Sequence, residues 1–141
     1  MKKAIFVTAF SAIAVLFAHA QKIEAAKIPA AVKSAFEKKY PGAVAKWELE
    51  DGKYEAVFKE GKTEAAATFK ADGTFEEAET EITVTGLPAS VVAYMKKNYN
   101  KPIKEASKIV LANGAVNYEA VIGKTAYVFD AGGNFIKQQK D

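Results

Sequence analysis

Seven glutamates are spaced so that they could act together: Glu77, Glu79 and Glu81 at alternate positions of one stretch, with Glu48, Glu50, Glu55 and Glu64 ahead of it. Alternate residues of an extended chain share a face, so these carboxylates could make an acidic surface that attracts a cation or a basic partner. The plainer reading, a solvated sheet face kept soluble by its charge, carries the greater weight. Carboxylate pairs also hydrolyse glycosides, but only where they flank a substrate cleft, and nothing in the pattern marks one. Calcium requires oxygen ligands converging from one loop, and no Asp-x-Asp-x-Asp-Gly run is present.

Much other chemistry is excluded by what the chain lacks. It has no arginine and no cysteine, and its one histidine, His19, lies in the first twenty residues. A Ser-His-Asp or Cys-His arrangement cannot be built, zinc has no nitrogen or sulfur ligands, and bidentate recognition of phosphate is out of reach. Gly61-Lys62-Thr63 and Gly123-Lys124-Thr125 resemble the tail of a phosphate-binding loop. The full motif needs an earlier glycine where Ala56 and Tyr118 stand, and a helix where this chain continues as strand, so both are hairpin turns. No cofactor and no metal site is expected.

A second candidate surface is apolar. Val110, Val121, Ala126 and Val128 are read as outward positions, ringed by Lys104, Lys108, Glu119, Lys124 and Lys137. An apolar centre with a charged rim fits a protein contact, and Val110, Val121, Val128, Lys108, Glu119 and Lys124 are the expected partner-binding residues. β-propensity alone would also place valines there.

The elements that must carry these residues come in two copies. Tyr54-Glu55-Ala56-Val57, Gly61-Lys62-Thr63 and Phe69 return as Tyr118-Glu119-Ala120-Val121, Gly123-Lys124-Thr125 and Phe129. Such repetition marks a duplicated supersecondary unit. Ile28, Val32, Phe36 and Tyr40 recur at helical spacing after Pro29, and Leu87, Val91, Met95 and Tyr99 match them 59 residues on. Each helix should start at its proline, and the first should stop by Tyr40, before Pro41-Gly42. The period then drops to two. Ala45, Trp47 and Leu49 share a face, as do Tyr54, Ala56 and Phe58, then Ala65, Ala67 and Phe69, with turns at Asp51-Gly52, Glu60-Gly61 and Asp72-Gly73. A fourth strand is expected from Phe75 to about Thr85, with Ala78, Thr80, Ile82 and Val84 on the core side. The second copy is read with Ser107, Ile109 and Leu111 inward, then Tyr118, Ala120 and Ile122, Tyr127 and Phe129, and Phe135.

The expected fold is therefore α+β: two tandem helix-plus-four-strand repeats, residues 21–86 and 87–141, forming an antiparallel sheet with helices on one face. Short hairpins enforce the antiparallel sense, and the Thr85-Gly86 corner is too short to separate independent domains. Before them, Lys2 and Lys3 precede an apolar run from Ala4 to Phe17 and the small-residue site Ala18-His19-Ala20. The expectation is a signal peptide, residues 1–20, since the run is short for a spanning helix. A periplasmic or secreted product of one domain follows, without membrane insertion after cleavage. Nucleic acid is not an expected partner, because the exported chain lacks arginine and is nearly neutral. Charge is nonetheless uneven. Residues 21–86 hold ten lysines against thirteen acids and 87–141 eight against four, giving −3 and +4, a polarity that could steer a partner within about 8 to 10 Å.

Leu87-Pro88, a helix ending at Tyr99, Tyr118-Glu119-Ala120-Val121, Gly123 and Phe129-Asp130-Ala131-Gly132-Gly133-Asn134-Phe135 together resemble the PepSY-like, beta-lactamase-inhibitor-like family of secreted bacterial proteins. The likeness covers about residues 28 to 138, although the first copy reads Phe69-Lys70-Ala71-Asp72-Gly73 and lacks the Asp after Phe. The resemblance implies paired repeats sharing a curved sheet, and a protein-binding, non-enzymatic role through the open sheet face. The expectation is an exported module that binds another protein, as an inhibitor or otherwise. The alternative is a periplasmic carrier or sensor of a small ligand or cation.

Overall fold

The computed structural model describes residues 20–140. The expected leader falls outside the described residues except for Ala20. Nine strands form one antiparallel sheet in strict sequence order, from β1 (Gln21–Ile23) through β2 (Lys46–Glu50), β3 (Lys53–Glu60), β4 (Thr63–Lys70), β5 (Phe75–Ile82), β6 (Glu105–Leu111), β7 (Val116–Ile122) and β8 (Thr125–Asp130) to β9 (Phe135–Lys140). Helix α1 (Ala30–Lys39) connects β1 to β2, and α2 (Ala89–Asn98) connects β5 to β6.

Both helices form where the spacing predicts, but each starts one residue later than expected, at Ala30 and Ala89, with Pro29 and Pro88 standing as extended caps just outside. Tyr40 and Tyr99 close them, each donating its N–H to the carbonyl four residues back. Two features differ from expectation. Strand β5 stops at Ile82, and the corner at Thr85-Gly86 is a 3-10 turn over Val84–Gly86. Short β1, followed by a matching 3-10 turn at Ala25–Lys27, was not foreseen, because three residues are too few to show a period.

The helices pack on one face of the sheet. Val32 and Phe36 of α1 lie in a buried cluster with Trp47, Ala56, Phe58, Ala67 and Phe69, and Phe36 meets Trp47, Phe58 and Phe69 edge-on at 5.4, 5.2 and 6.4 Å between ring centres. Val91 and Met95 of α2 close over Ala106, Ala120, Tyr127 and Phe129. The register joins the clusters: Phe58, Ala65, Thr80, Lys108, Tyr118 and Phe129 stand in one cross-strand row, so their side chains share a face. Each such buried aromatic or aliphatic side chain contributes roughly 1.5–3 kcal/mol.

One expected face is inverted. Ala106, not Ser107, Ile109 and Leu111, points to the helix side of β6, because Ile82, Ala106 and Ala120 are paired across β5, β6 and β7. Ile109-Val110-Leu111 is apolar without interruption, so its period cannot choose a face. Matching bulges interrupt β4–β5 at Thr68/Phe69 and β8–β9 at Val128/Phe129. Bulges sharpen twist and bend the strand, and the face away from the helices is hollow in consequence.

Candidate functional site

Strand alternation splits the repeated Tyr-Glu-Ala-Val between two environments. Ala56 and Ala120, both fully buried, lie under the helices, whereas Glu55 and Glu119 point to the helix-free side. Register then sets the neighbours of these two acids. Glu48, Glu55, Thr68 and Glu77 form one cross-strand row, Ala66, Glu79, Ile109 and Asn117 a second, and Glu81, Ser107, Glu119, Val128 and Lys137 a third. Adjacent strands are only about 4.8 Å apart, so carboxylates from β2, β3, β5 and β7 crowd one surface.

That surface encloses a cavity of about 290 Å³, to which every strand from β2 to β9 contributes a side chain. Seven carboxylates and two lysines line it, together with apolar Ala66, Ile109 and Val128 and polar Thr68, Asn117 and Gln139. The curvature shields groups that a flat face would leave wet. Glu55, Glu79, Glu105 and Glu119 are all buried, Glu119 completely. Neither oxygen of Glu119 has a hydrogen-bond partner, nor does Oε1 of Glu79.

Burial disfavours the charged form, and neighbouring carboxylates disfavour it further. Burial, reinforced by Glu48 and Glu79, pushes Glu55 up to about 8. Burial and then Glu79 push Glu119 up to about 9, against the opposing pull of Lys137. Glu79 is raised to about 7, chiefly by burial, with a hydrogen bond from Ser107 working the other way. Burial also raises Glu77, which Lys137 partly offsets. At neutral pH the floor of the cavity therefore holds protons. Of the two lysines, Lys53 is engaged by Glu76 at 2.7 Å, while Lys137 stands exposed on the edge strand β9.

The six residues expected to bind a partner do not form one patch. Glu119 and Val128 line the cavity, and Val121 lies beside them on the same face against Ala126, only 2 % exposed. Lys124 is exposed at the β7–β8 turn. Lys108 and Val110 are on the opposite, helix side, paired with Thr80 and Ala78, which corrects the shared face expected for them. The acidic set fares differently, since Glu50, Glu55, Glu77 and Glu79 do converge on the cavity. Ser107 and Ile109 were missed as parts of this face, whereas Lys137, expected on the rim of the outward valines, does lie on it. Carrying the 59-residue offset from the helices into β6 would have found both misplaced residues, because it sets Ala106 against Trp47 and Ser107 against Glu48.

Among the described residues no His, Cys, Asp or Glu triplet is arranged to hold a metal ion, and no helix is long and apolar enough to cross a membrane. Chemically, the cavity offers negative charge and hydrogen-bond acceptors over an apolar wall.

An antiparallel sheet backed by helices on one side and hollowed on the other defines a class, and the sequence places the chain in it. The chain belongs to the family described as "Putative beta-lactamase-inhibitor-like, PepSY-like", whose model matches residues 15–51 and 52–137. Solved structures of similar fold include a BLIP-like protein from Bacteroides fragilis, 24% identical over 79% of this chain and 86% of that one at a TM-score of 0.61. A DUF2874 family protein from Bacteroides ovatus is 20% identical over 79% and 86% at 0.69, and a "putative periplasmic" protein from Bacteroides eggerthii is 19% identical over 79% and 88% at 0.67. No curated protein matches the sequence.

Proposed function

We propose that the chain is an exported, non-enzymatic protein-binding module that holds a partner, as an inhibitor or otherwise, against the hollow face of its sheet. In this reading residues 1–20 are a cleaved leader, and 21–86 and 87–141 are tandem copies of one unit sharing a continuous sheet. The observation that carries it is the cavity itself: eight consecutive strands, β2 to β9, aim side chains into one depression, and its floor carries buried carboxylates without partners. A solvated face kept soluble by charge would leave its acids in water. Family membership and the likeness to a BLIP-like protein support a binding role, and the periplasmic description of a neighbour supports export. Of the expected contacts, Glu119 and Val128 are retained as cavity residues, beside Lys137 on the cavity wall and with Lys124 on the surrounding surface.

Capture from an envelope extract tests this, comparing the unaltered protein with Thr68→Trp, which fills the cavity, and with Glu37→Lys on the outer face of α1. A partner retained by Glu37→Lys and lost with Thr68→Trp is the expected result. Equal capture by all three, or loss only with the helix variant, would overturn it. The carrier reading is favoured instead if a small solute raises the melting temperature of the unaltered protein and no polypeptide does.

A further inference from the structure

Glu119 is the anomaly of the hollow face. A fully buried carboxylate with two unpartnered oxygens carries a desolvation cost that no hydrogen bond offsets and that the charge of Lys137 offsets only in part. Glu79, 6 % exposed and with Oε1 equally orphaned, lies on the same cavity from another strand. Three carboxylate oxygens of this pair lack donors, although Ser107 serves the other oxygen of Glu79, and seven carboxylates face only two lysines. The missing component is therefore a donor that carries positive charge.

Its chemistry is narrowed by the walls. A compact divalent ion finds no ligand set among the described residues. Ala66, Ile109 and Val128 offer instead an apolar track leading to the acids, suited to a group with a hydrocarbon stem and a charged tip. At about 290 Å³ the space falls at the low end of ligand pockets, about 300–1,000 Å³, which admits one side chain rather than a cofactor. The mouth opens on a sheet face, across which an extended chain can lie. Resting on the protein-binding reading above, we infer that the cavity receives a single lysine or arginine side chain of a partner polypeptide, its cationic tip between Glu79 and Glu119 and its stem along Ala66, Ile109 and Val128.

Charged groups face these two acids from several elements: Glu55 from β3, Glu77 on β5, Glu105 on β6 and Lys137 on β9. An arriving cation displaces the protons that burial and the neighbouring acids keep in place, so binding releases protons. Lys137 competes for the same acids, so its removal strengthens binding.

Calorimetric titration of the protein with a capped alanine–glycine pentapeptide carrying one central lysine tests the inference, beside peptides with arginine or norleucine at that position, free spermidine, and calcium chloride. The lysine and arginine peptides should bind with proton release at pH 7.5, read from buffers of different ionisation enthalpy, and the norleucine peptide should not. Glu119→Gln and Glu79→Gln should weaken binding by at least about thirtyfold, while Lys137→Gln tightens it. Circular dichroism establishes that each variant is folded, and Glu→Gln preserves the shape of a protonated acid. Equal binding of the norleucine peptide, no binding of any peptide, tighter binding of calcium or spermidine, or an undiminished Glu119→Gln would overturn it. A captured partner lost with Thr68→Trp but kept by Glu119→Gln would sink this inference alone and leave the protein-binding reading standing.

Discussion

In the unfolded chain Glu119 titrates near 4.5, and in the folded protein burial and Glu79 hold it near 9. The folded state therefore keeps a proton that the unfolded state loses. Stability from this group is complete below pH 4.5, declines as pH rises through the interval, and levels off above about 9. At pH 7 the difference costs about 3 kcal/mol, at about 1.4 kcal/mol for each pH unit above 4.5. Glu119→Gln is neutral in both states and escapes that cost. The variant should melt roughly 10 °C higher at pH 7 and little differently at pH 4, a gap that thermal scans across pH will measure. An unchanged or lower melting temperature at pH 7 would mean that Glu119 is ionised and paired in the folded protein. A group that lowers stability when empty and is needed when occupied is the pattern expected of a binding residue.

At the scale of elements, the helices are held to the sheet at two turns. Gly73, at φ 88°, approaches the first turn of α1 so closely that a Cβ would lie 2.7 Å from the Ala31 carbonyl oxygen. Gly133, at φ 81°, meets α2 in the same way, with an added Cβ 2.6 Å from that of Ser90. Ser90 also donates its hydroxyl to the Gly132 carbonyl at 3.4 Å. Gly133→Ala should thus incur both the left-handed backbone penalty, about 1–2 kcal/mol, and the clash, for a total loss of about 2–4 kcal/mol. Gly123→Ala, with open space around it, should lose only the backbone part. Denaturant midpoints of the two variants will separate the contributions, and equal losses would show that the contact with α2 is slack. These turns also show what could be read from the sequence. Regular spacing placed both helices within a residue and β2 to β4 on their correct faces, because Trp47, Ala56, Phe58 and Phe69 alternate with charge. Where alternation lapses, in Ile109-Val110-Leu111, only pairing with β5 and β7 fixes the side. The acidic face was visible as a list of glutamates. Its burial was not, since curvature arises from bulges and twist summed over nine strands, which no local pattern records.

For the whole molecule, the question is whether two buried clusters behave as one body. Strand β5 belongs to both: it pairs with β4 from Thr68 to Ala65 and with β6 from Leu111 to Ala106. Unfolding residues 84–140 alone would strip β5 of one hydrogen-bonded neighbour and open the cavity through its centre, exposing Glu79 and Ile109 together. The partial structure would keep a long unpaired edge, and with no cysteine in the chain nothing covalent would hold it. Thermal unfolding should accordingly be a single transition, with calorimetric and van't Hoff enthalpies in a ratio of about one. The seam can be stressed directly. Ser107→Pro on β6 removes an N–H from the ladder and places a ring in a central strand, where proline is not tolerated. If the sheet is one cooperative unit, this variant loses the near-ultraviolet signal of Trp47, more than two strands away in the other cluster, together with that of the tyrosines near α2. Retention of the tryptophan signal after the tyrosine signal has gone would show instead that residues 21–82 stand alone, and that the cavity is assembled from two separately stable halves.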